Sequence, residues 1–336
     1  MKKSLKKFIV PVLTSKPVTK IADRFCNLGV PIFMIHRVTS EHTADPGTIT
    51  SEHLRKCLTY LVKHGYVFIS LEQLVIALRQ KNSIPDKSVV FTMDDGFIDQ
   101  AQIAAPIFIE FNCPVTIFVI TGMQNNKIWP WDDKVAWIVQ SSVLERLKKS
   151  VTLEKLNIKL DNNANKRKIT ENIQNAIKLV DAKSISEILL NISQDAGVSL
   201  PEYAPEKYRP MTWSLARKLE IQGIQFAPHS VNHYIMSRLD KISMENEINE
   251  SWEALKKELK CPVKIFCYPT GRNIDYGERE IEVLKKNKYT GAVTTVPGVV
   301  KQSYDNDNQL YNLSRLNMPT NIVDFIQYCS WIERIR

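Results

Sequence analysis

Residues 88–121 read SVVFTMDDGFIDQAQIAAPIFIEFNCPVTIFVIT, and this stretch decides how the rest of the chain is read. Ser88 to Met93 is a short β-branched run that stops abruptly at Asp94-Asp95-Gly96. A helical pattern follows from Gln100 to Phe111, then a second strand-like run from Val115 to Thr121. The same unit recurs outward. Upstream, the apolar run Val30–Ile35 precedes a helix from Thr50 or Ser51 to about His64, with Leu54, Cys57, Leu58 and Leu61 on one face, and a second helix from Leu71 to Arg79. Downstream, helices near 213–222, 243–259 and 278–287 lead into strands near 224–227, 263–268 and 290–295. This alternation predicts an α/β fold, a parallel sheet with helical crossovers, either wound open or closed as a barrel.

One segment breaks the rhythm. Residues from about 139 to 208 hold a single glycine, Gly197, and helix-like runs such as Ser142–Lys149 and Lys168–Asp181, with no evident strand. They read as a mostly helical insertion carried on the α/β body. The organisation expected is a basic segment over 1–29 and one α/β domain over 30–336, interrupted by this insertion. No internal repeat is visible.

Composition narrows the classes. Hydrophobic residues are 44% and charged residues 24% of 336, which excludes wholesale disorder. Six single cysteines without a C-x-x-C pair argue against a thiolate zinc site or a disulfide framework. The net charge of +9 is uneven: Lys2, Lys3, Lys6, Lys7, Lys16, Lys20 and Arg24 face only Asp23 within residues 1–24. The body is close to neutral, so nucleic acid is not an expected partner. The apolar run Phe8–Leu13 is shorter than a signal-peptide core and contains Pro11; no run approaches a membrane span. The expectation is a cytoplasmic protein whose basic N-terminus is a solvated tail or docks on an anionic membrane surface.

Three polar clusters stand at strand ends, where parallel α/β proteins gather function. Asp94 and Asp95 are adjacent acids pointing different ways, so one can bind a metal while the other acts as a base, or the pair is a simple turn. His229 and His233, in HSVNH, are spaced i and i+4, as on one face of a helical turn, and can share a metal. Two imidazoles and one carboxylate suit zinc or a related divalent ion and leave positions open. His36, followed by Arg37, ends the first strand. His42, His53 and His64 read as solvated surface.

These residues carry a resemblance. TMDDG (92–96), HSVNH (229–233) and CYPTG (267–271) are similar to the TFDDG, H-[ST]-x-x-H and R-x-P-Y-G motifs of the polysaccharide deacetylases, the NodB-homology family or carbohydrate esterase family 4. IHRV (35–38), LTYLVKHGY (58–66), MTW (211–213) and AVTTVPG (292–298) resemble its bacterial members, and the likeness covers about 30–138 and 209–330. It implies a distorted (β/α) barrel that removes N-acetyl groups from an amino sugar, with one divalent metal, zinc by preference, on Asp95, His229 and His233. Asp94 would be the base. IHRV resembles the motif of permuted members in which that histidine is the general acid, so His36 takes this role. Thr270, Tyr268 and Arg272 would meet the oxyanion or substrate, Thr270 through its backbone N–H. The sequence departs from the family at Met93, at Cys267 where an arginine should orient the base, and at Thr270; Arg272, Arg209 and Arg315 are candidates for the missing arginine. Pro228 is unexpected before His229, and the fourth motif is not recognisable.

The expected substrate is an N-acetylated glycan of a bacterial surface polysaccharide, or a lipid-linked saccharide precursor. The alternative is a catalytically silent glycan-binding or assembly module, against which the retained Asp94 weighs. Glycoside hydrolysis fits poorly, because neighbouring Asp94 and Asp95 flank no bond. Trp129, Trp131, Trp137 and Trp213 border the insertion, as ordinary packing or as a sugar-stacking platform.

Overall fold

Thr50 accepts a hydrogen bond from the His53 N–H at 3.0 Å and starts the helix Ser51–Lys63, whose buried stripe is Leu54, Cys57, Leu58 and Leu61. Ser70 and Gln73 exchange bonds as a capping box that starts Leu71–Gln80. Both helices follow the expected periodicity. They belong to a computed structural model that describes residues 3–22, 29–41, 47–124, 128–160, 165–301 and 306–334. Lys2, Asp23, Arg24, Cys26 and His42 lie outside the described residues.

The strands are β1 (Ile32–Ile35), β2 (Arg37–Thr39), β3 (Thr48–Thr50), β4 (Val67–Phe68), β5 (Ser88–Met93), β6 (Val115–Val119), β7 (Gln225–Pro228), β8 (Ile265–Cys267), β9 (Gly291–Pro297) and β10 (Leu313–Asn317). One parallel sheet runs β7-β6-β5-β1-β10-β9-β8, with β4 on the first residues of β5 and β6 on its last; β2 and β3 form a separate pair. The sheet's ends approach each other, since the Val263 N–H just before β8 donates to the carbonyl of Phe226 in β7 at 2.8 Å. The result is a nearly closed (β/α) barrel, distorted where the β9–β10 register shifts between Leu313 and Arg315. This matches the expected fold.

Along β5 the pleat sorts the side chains. Val89, Phe91 and Met93 join the helix-facing core, where Phe91 meets Phe108 at 5.3 Å between ring centroids. Val90, Thr92 and, beyond the strand, Asp94 alternate onto the other face. Burying each such phenylalanine is worth roughly 1.5–3 kcal/mol.

The structure departs from the sequence reading at the short strands β2, β3 and β4, which were not anticipated, and at four further places. β10 was not anticipated, because Asn312, Ser314, Arg315 and Asn317 hide its apolar residues, yet it lies in mid-sheet between β1 and β9. HSVNH is not a helical turn; it is a loop with Ser230 and His233 at φ +63° and +58°. His53 is half-buried, its Nε2 2.7 Å from the Pro319 carbonyl, so it is not solvated surface. The stretch after Asp99 begins with a π-helical turn, Gln100–Ala104, before the α-helix Ala105–Glu110.

The long β6–β7 crossover holds helices Trp131–Ser141, Leu144–Lys148, Val151–Lys155, Lys166–Ile177 and Ile185–Ala196 before the helix Trp213–Ile221. Ile169, Ile173 and Ile177 recur every four residues and bury the inner face of Lys166–Ile177. The helix Lys3–Leu13 rests on Ile322–Cys329 through a Lys6–Asp324 ion pair, and the indole of Trp331, just beyond that helix, donates to the Leu13 carbonyl at 3.0 Å. Among the described residues no helix is long and apolar enough to cross a membrane.

Candidate active site

The chain leaves β5 through a sharp turn, with Asp95 at φ +80° and Gly96 at +82°. A side chain at Gly96 would meet the Gln124 amide at 2.8 Å, and that amide donates to the Gly96 carbonyl. The turn sends the neighbouring carboxylates to different partners. Asp94 is fully buried and receives both ends of the Arg315 guanidinium, Nη1 to Oδ1 at 2.6 Å and Nη2 to Oδ2 at 2.7 Å. Arg315 also donates to the Thr92 hydroxyl and the Thr294 carbonyl, which ties β10 to β5 and β9. Burial alone would raise the Asp94 carboxyl; the charge and hydrogen bonds of Arg315 overcome it and hold the group below the usual carboxylate range. Of the three candidate arginines, Arg315 is thus the one that orients Asp94. Cys267 lies beside this pair, its Sγ 3.2 Å from Arg315 Nη2.

Asp95 faces the HSVNH loop. Its Oδ1 is 3.4 Å from His229 Nε2 and 3.6 Å from His233 Nε2, and it accepts no hydrogen bond. His229 Nδ1 sits 2.8 Å from the Cys267 carbonyl, which only accepts, so Nδ1 carries a proton and, in the neutral imidazole, Nε2 presents a lone pair toward Asp95. Two acceptors facing each other in a buried site are a mismatch that a cation resolves. Asp95, His229 and His233 therefore fit a divalent ion. Asp94, His229 and Cys267 also lie close together, but the Arg315 guanidinium touches two of the three and the buried thiol is pushed well up, so that group does not fit.

The loop is held from behind. Glu247 is buried and accepts from the Val231 and Asn232 N–H groups, both at 2.8 Å. The Trp131 indole donates to the His233 carbonyl at 3.1 Å, and Asp132 Oδ1 is 3.6 Å from His233 Nδ1. Pro228 sits at the end of β7 beside Val119, and the next residue, His229, donates its N–H to the Val119 carbonyl at 3.0 Å. Trp129, Trp131 and Trp213 are all buried, so packing accounts for them.

His36 follows β1, next to β5 in the sheet. Its Nε2 is 3.9 Å from Asp94 Oδ2, and its ring is partly exposed. The buried Gln100 amide donates to the carbonyls of both His36 and Asp94 and so locks the two strand ends together. After β8, Thr270 is held at φ +56° with its hydroxyl on Asp275. Its N–H makes no hydrogen bond among the described residues. Tyr268 is fully buried and stacks on Tyr276 at 4.1 Å. Arg272 clasps Asp275 through Nε and Nη2, both at 2.8 Å.

His36, Asp94, Asp95, His229, His233, Tyr268, Thr270 and Arg272 line one cavity of about 350 Å³, and Gln174, Lys178 and Asp132 of the long crossover line it too. A larger cavity of about 520 Å³ shares Gln174, but its Arg37 and Arg167 are already paired with Asp99 and Glu171. The sequence reading missed Gln100, Glu247, Asp132 and Lys178. None lies in a strand-end cluster, and no local pattern distinguishes them from surface polar residues.

Comparison with known proteins agrees with this geometry. A family profile described as polysaccharide deacetylase matches residues 81–292. The chain is 19% identical over 289 residues to YxkH of Bacillus subtilis (strain 168), a protein named for polysaccharide deacetylation, covering 86% of this chain and 71% of that one. Among solved structures it is similar to the Streptococcus pyogenes deacetylase PplD in complex with acetate (TM-score 0.57, 19% identity, 90% of this chain and 99% of that one). It is also similar to IcaB from Ammonifex degensii (TM-score 0.56, 15% identity, 91% and 97%). At these identities the structures establish the shared barrel, and the profile match establishes the lineage: the chain belongs to the polysaccharide deacetylase family.

Proposed function

We propose that this protein is a metal-dependent N-deacetylase of an amino-sugar-containing glycan or lipid-linked glycan precursor. The observation that carries the reading is the facing of Asp95 Oδ1 by two imidazole Nε2 atoms at 3.4 and 3.6 Å, beside a second carboxylate held ionised by Arg315. A divalent ion, zinc by preference, held by Asp95, His229 and His233 would polarise the acetamide carbonyl and acidify water. Asp94 accepts the proton of the attacking water, since Arg315 fixes both its charge and its direction. His36, whose Nε2 lies 3.9 Å from that carboxylate, donates a proton to the leaving amine. The free N–H of Thr270 faces the oxygen that gains charge during attack, while Tyr268 and Arg272 shape the surrounding wall.

The same reading treats residues 1–29 as a basic segment and 30–336 as one barrel with a helical insertion at about 139–208. In it the N-terminal helix touches anionic membrane, because Phe8, Pro11 and Val12 are exposed beside Lys7. Co-sedimentation with phosphatidylglycerol vesicles, abolished by Phe8→Asp, is the expected result. The enzymatic proposal is tested by metal analysis of the purified protein and by acetate release from N-acetylglucosamine oligomers and lipid-linked saccharides, with and without chelator. Release that requires one metal per chain supports it; a protein that binds metal and glycan but releases no acetate is the silent module instead.

A further inference from the structure

Two cations enter the cavity from elements that are far apart in sequence. Lys178 caps the C-terminal end of Lys166–Ile177 in the insertion, and Arg272 follows β8. Arg272 is fixed by Asp275, and its Nη1 makes no hydrogen bond among the described residues. Lys178 is half-buried, and among the described residues its ammonium has no hydrogen bond and no carboxylate within ion-pair distance. Of the acids nearby, Asp275 is bonded to Arg272 and Thr270 and Asp94 to Arg315, while Asp132 Oδ1 lies 3.6 Å from His233 Nδ1. Burial, and next the charge of Arg272, pull the Lys178 amine below its usual range, against the smaller opposing charges of Asp132 and Asp275. A half-buried lysine beside an arginine, on the wall of a substrate cavity, is costly unless an anion joins them.

We propose that Lys178 and Arg272 form a subsite for an anionic substituent, a carboxylate or a phosphate, on the sugar that bears the acetamide or on its neighbour. The location beside the scissile amide rests on the deacetylase reading above. Arg272 supplies a pre-oriented planar donor and Lys178 a mobile point charge, the combination suited to an oxyanion that arrives with the substrate. The insertion then selects substrate by charge.

The test uses the zinc-loaded full chain and three probes: a neutral N-acetylglucosamine tetramer, an oligomer of alternating N-acetylglucosamine and glucuronate, and the tetramer 1-phosphate. Equilibrium binding is measured by calorimetry and acetate release separately. Wild type should bind at least one anionic probe roughly tenfold more tightly than the neutral one, the worth of one hydrogen bond to a charged group. Lys178→Gln should erase that preference with little change for the neutral probe, and Lys178→Glu should reverse it. Whichever anionic probe shows the effect identifies carboxylate or phosphate. Equal binding of all three probes by wild type, or an equal loss for all three in Lys178→Gln, overturns the subsite. Lys178-dependent selectivity without acetate release would keep the subsite and sink the deacetylase reading; release without charge selectivity would do the reverse.

Discussion

Arg315 and Asp94 come from positions 221 residues apart and meet inside the barrel, with both side chains sealed from solvent. Arg272 and Asp275 are three residues apart in one loop, and that arginine's side chain is 37% exposed. Both pairs are two-point arginine–carboxylate contacts, and one member of each, Asp94 and Arg272, lines the same cavity. The long-range pair aims a carboxylate; the local pair shapes a loop and leaves a cation facing the substrate space. Chemistry alone does not tell them apart. Burial and chain separation do: Arg315 is wholly enclosed with Asp94, whereas Arg272 keeps its side chain partly in water, so solvent relieves that guanidinium, though not the buried carboxylate of Asp275, when the partner is lost.

Several variants would break or sharpen that contrast. Asp94→Asn has the largest expected effect on activity, a drop of about 10²–10⁴ in acetate release. Zinc content measured by mass spectrometry should stay near wild type, because Asp95, His229 and His233 are untouched. Intact turnover would show that the base lies elsewhere.

Arg315→Met removes the counter-charge instead. It leaves a buried carboxylate unpaired and should cost about 3–5 kcal/mol in urea unfolding. Introduced into the Asp94→Asn background, the same change should cost clearly less, since no buried charge is then abandoned. Equal costs in the two backgrounds would mean that the pair is not coupled. His36→Ala tests the neighbour of that carboxylate: turnover should fall about 10²-fold with metal retained. Loss of metal would assign His36 to ion binding.

The local pair should give the smallest effect. Asp275→Asn is expected to cost about 1.5–3 kcal/mol, the range for a hydrogen bond to a charged group. Burial raises the Asp275 carboxyl, but Arg272 and Thr270 pull it down, so its folded-state value lies below the ordinary one. Its stabilisation is therefore complete above the unfolded value near pH 4 and fades as pH falls through the folded one. Thermal unfolding between pH 3 and 6 should show a shallower acid limb in Asp275→Asn. An unchanged limb would mean that the pair contributes nothing.

The same contrast explains what was readable in advance. β5, β6 and β7 announce themselves because strands buried on both faces read as continuous apolar runs. The acids and histidines were legible because they sit where such runs stop. β10 was invisible for the opposite reason: it gives an inward position to Arg315, whose burial is affordable only against Asp94, and a strand pattern has no place for a buried guanidinium. HSVNH was assigned the wrong backbone because i and i+4 spacing also results from two left-handed residues in a loop.

By itself the sequence determined the alternation of the long buried strands with helices, β10 excepted, the helical character of the insertion and the side chains whose chemistry suits a cation or a proton transfer, since these follow from local periodicity and side-chain chemistry. Only the tertiary structure decided which arginine serves Asp94 and that the imidazole of His229 turns its Nε2 to Asp95. It also decided that Glu247 and Gln100 hold the strand ends in place, and that Lys178 reaches the cavity from another element. Those outcomes depend on distances between residues tens to hundreds of positions apart. A local pattern does not encode such distances; barrel closure sets them.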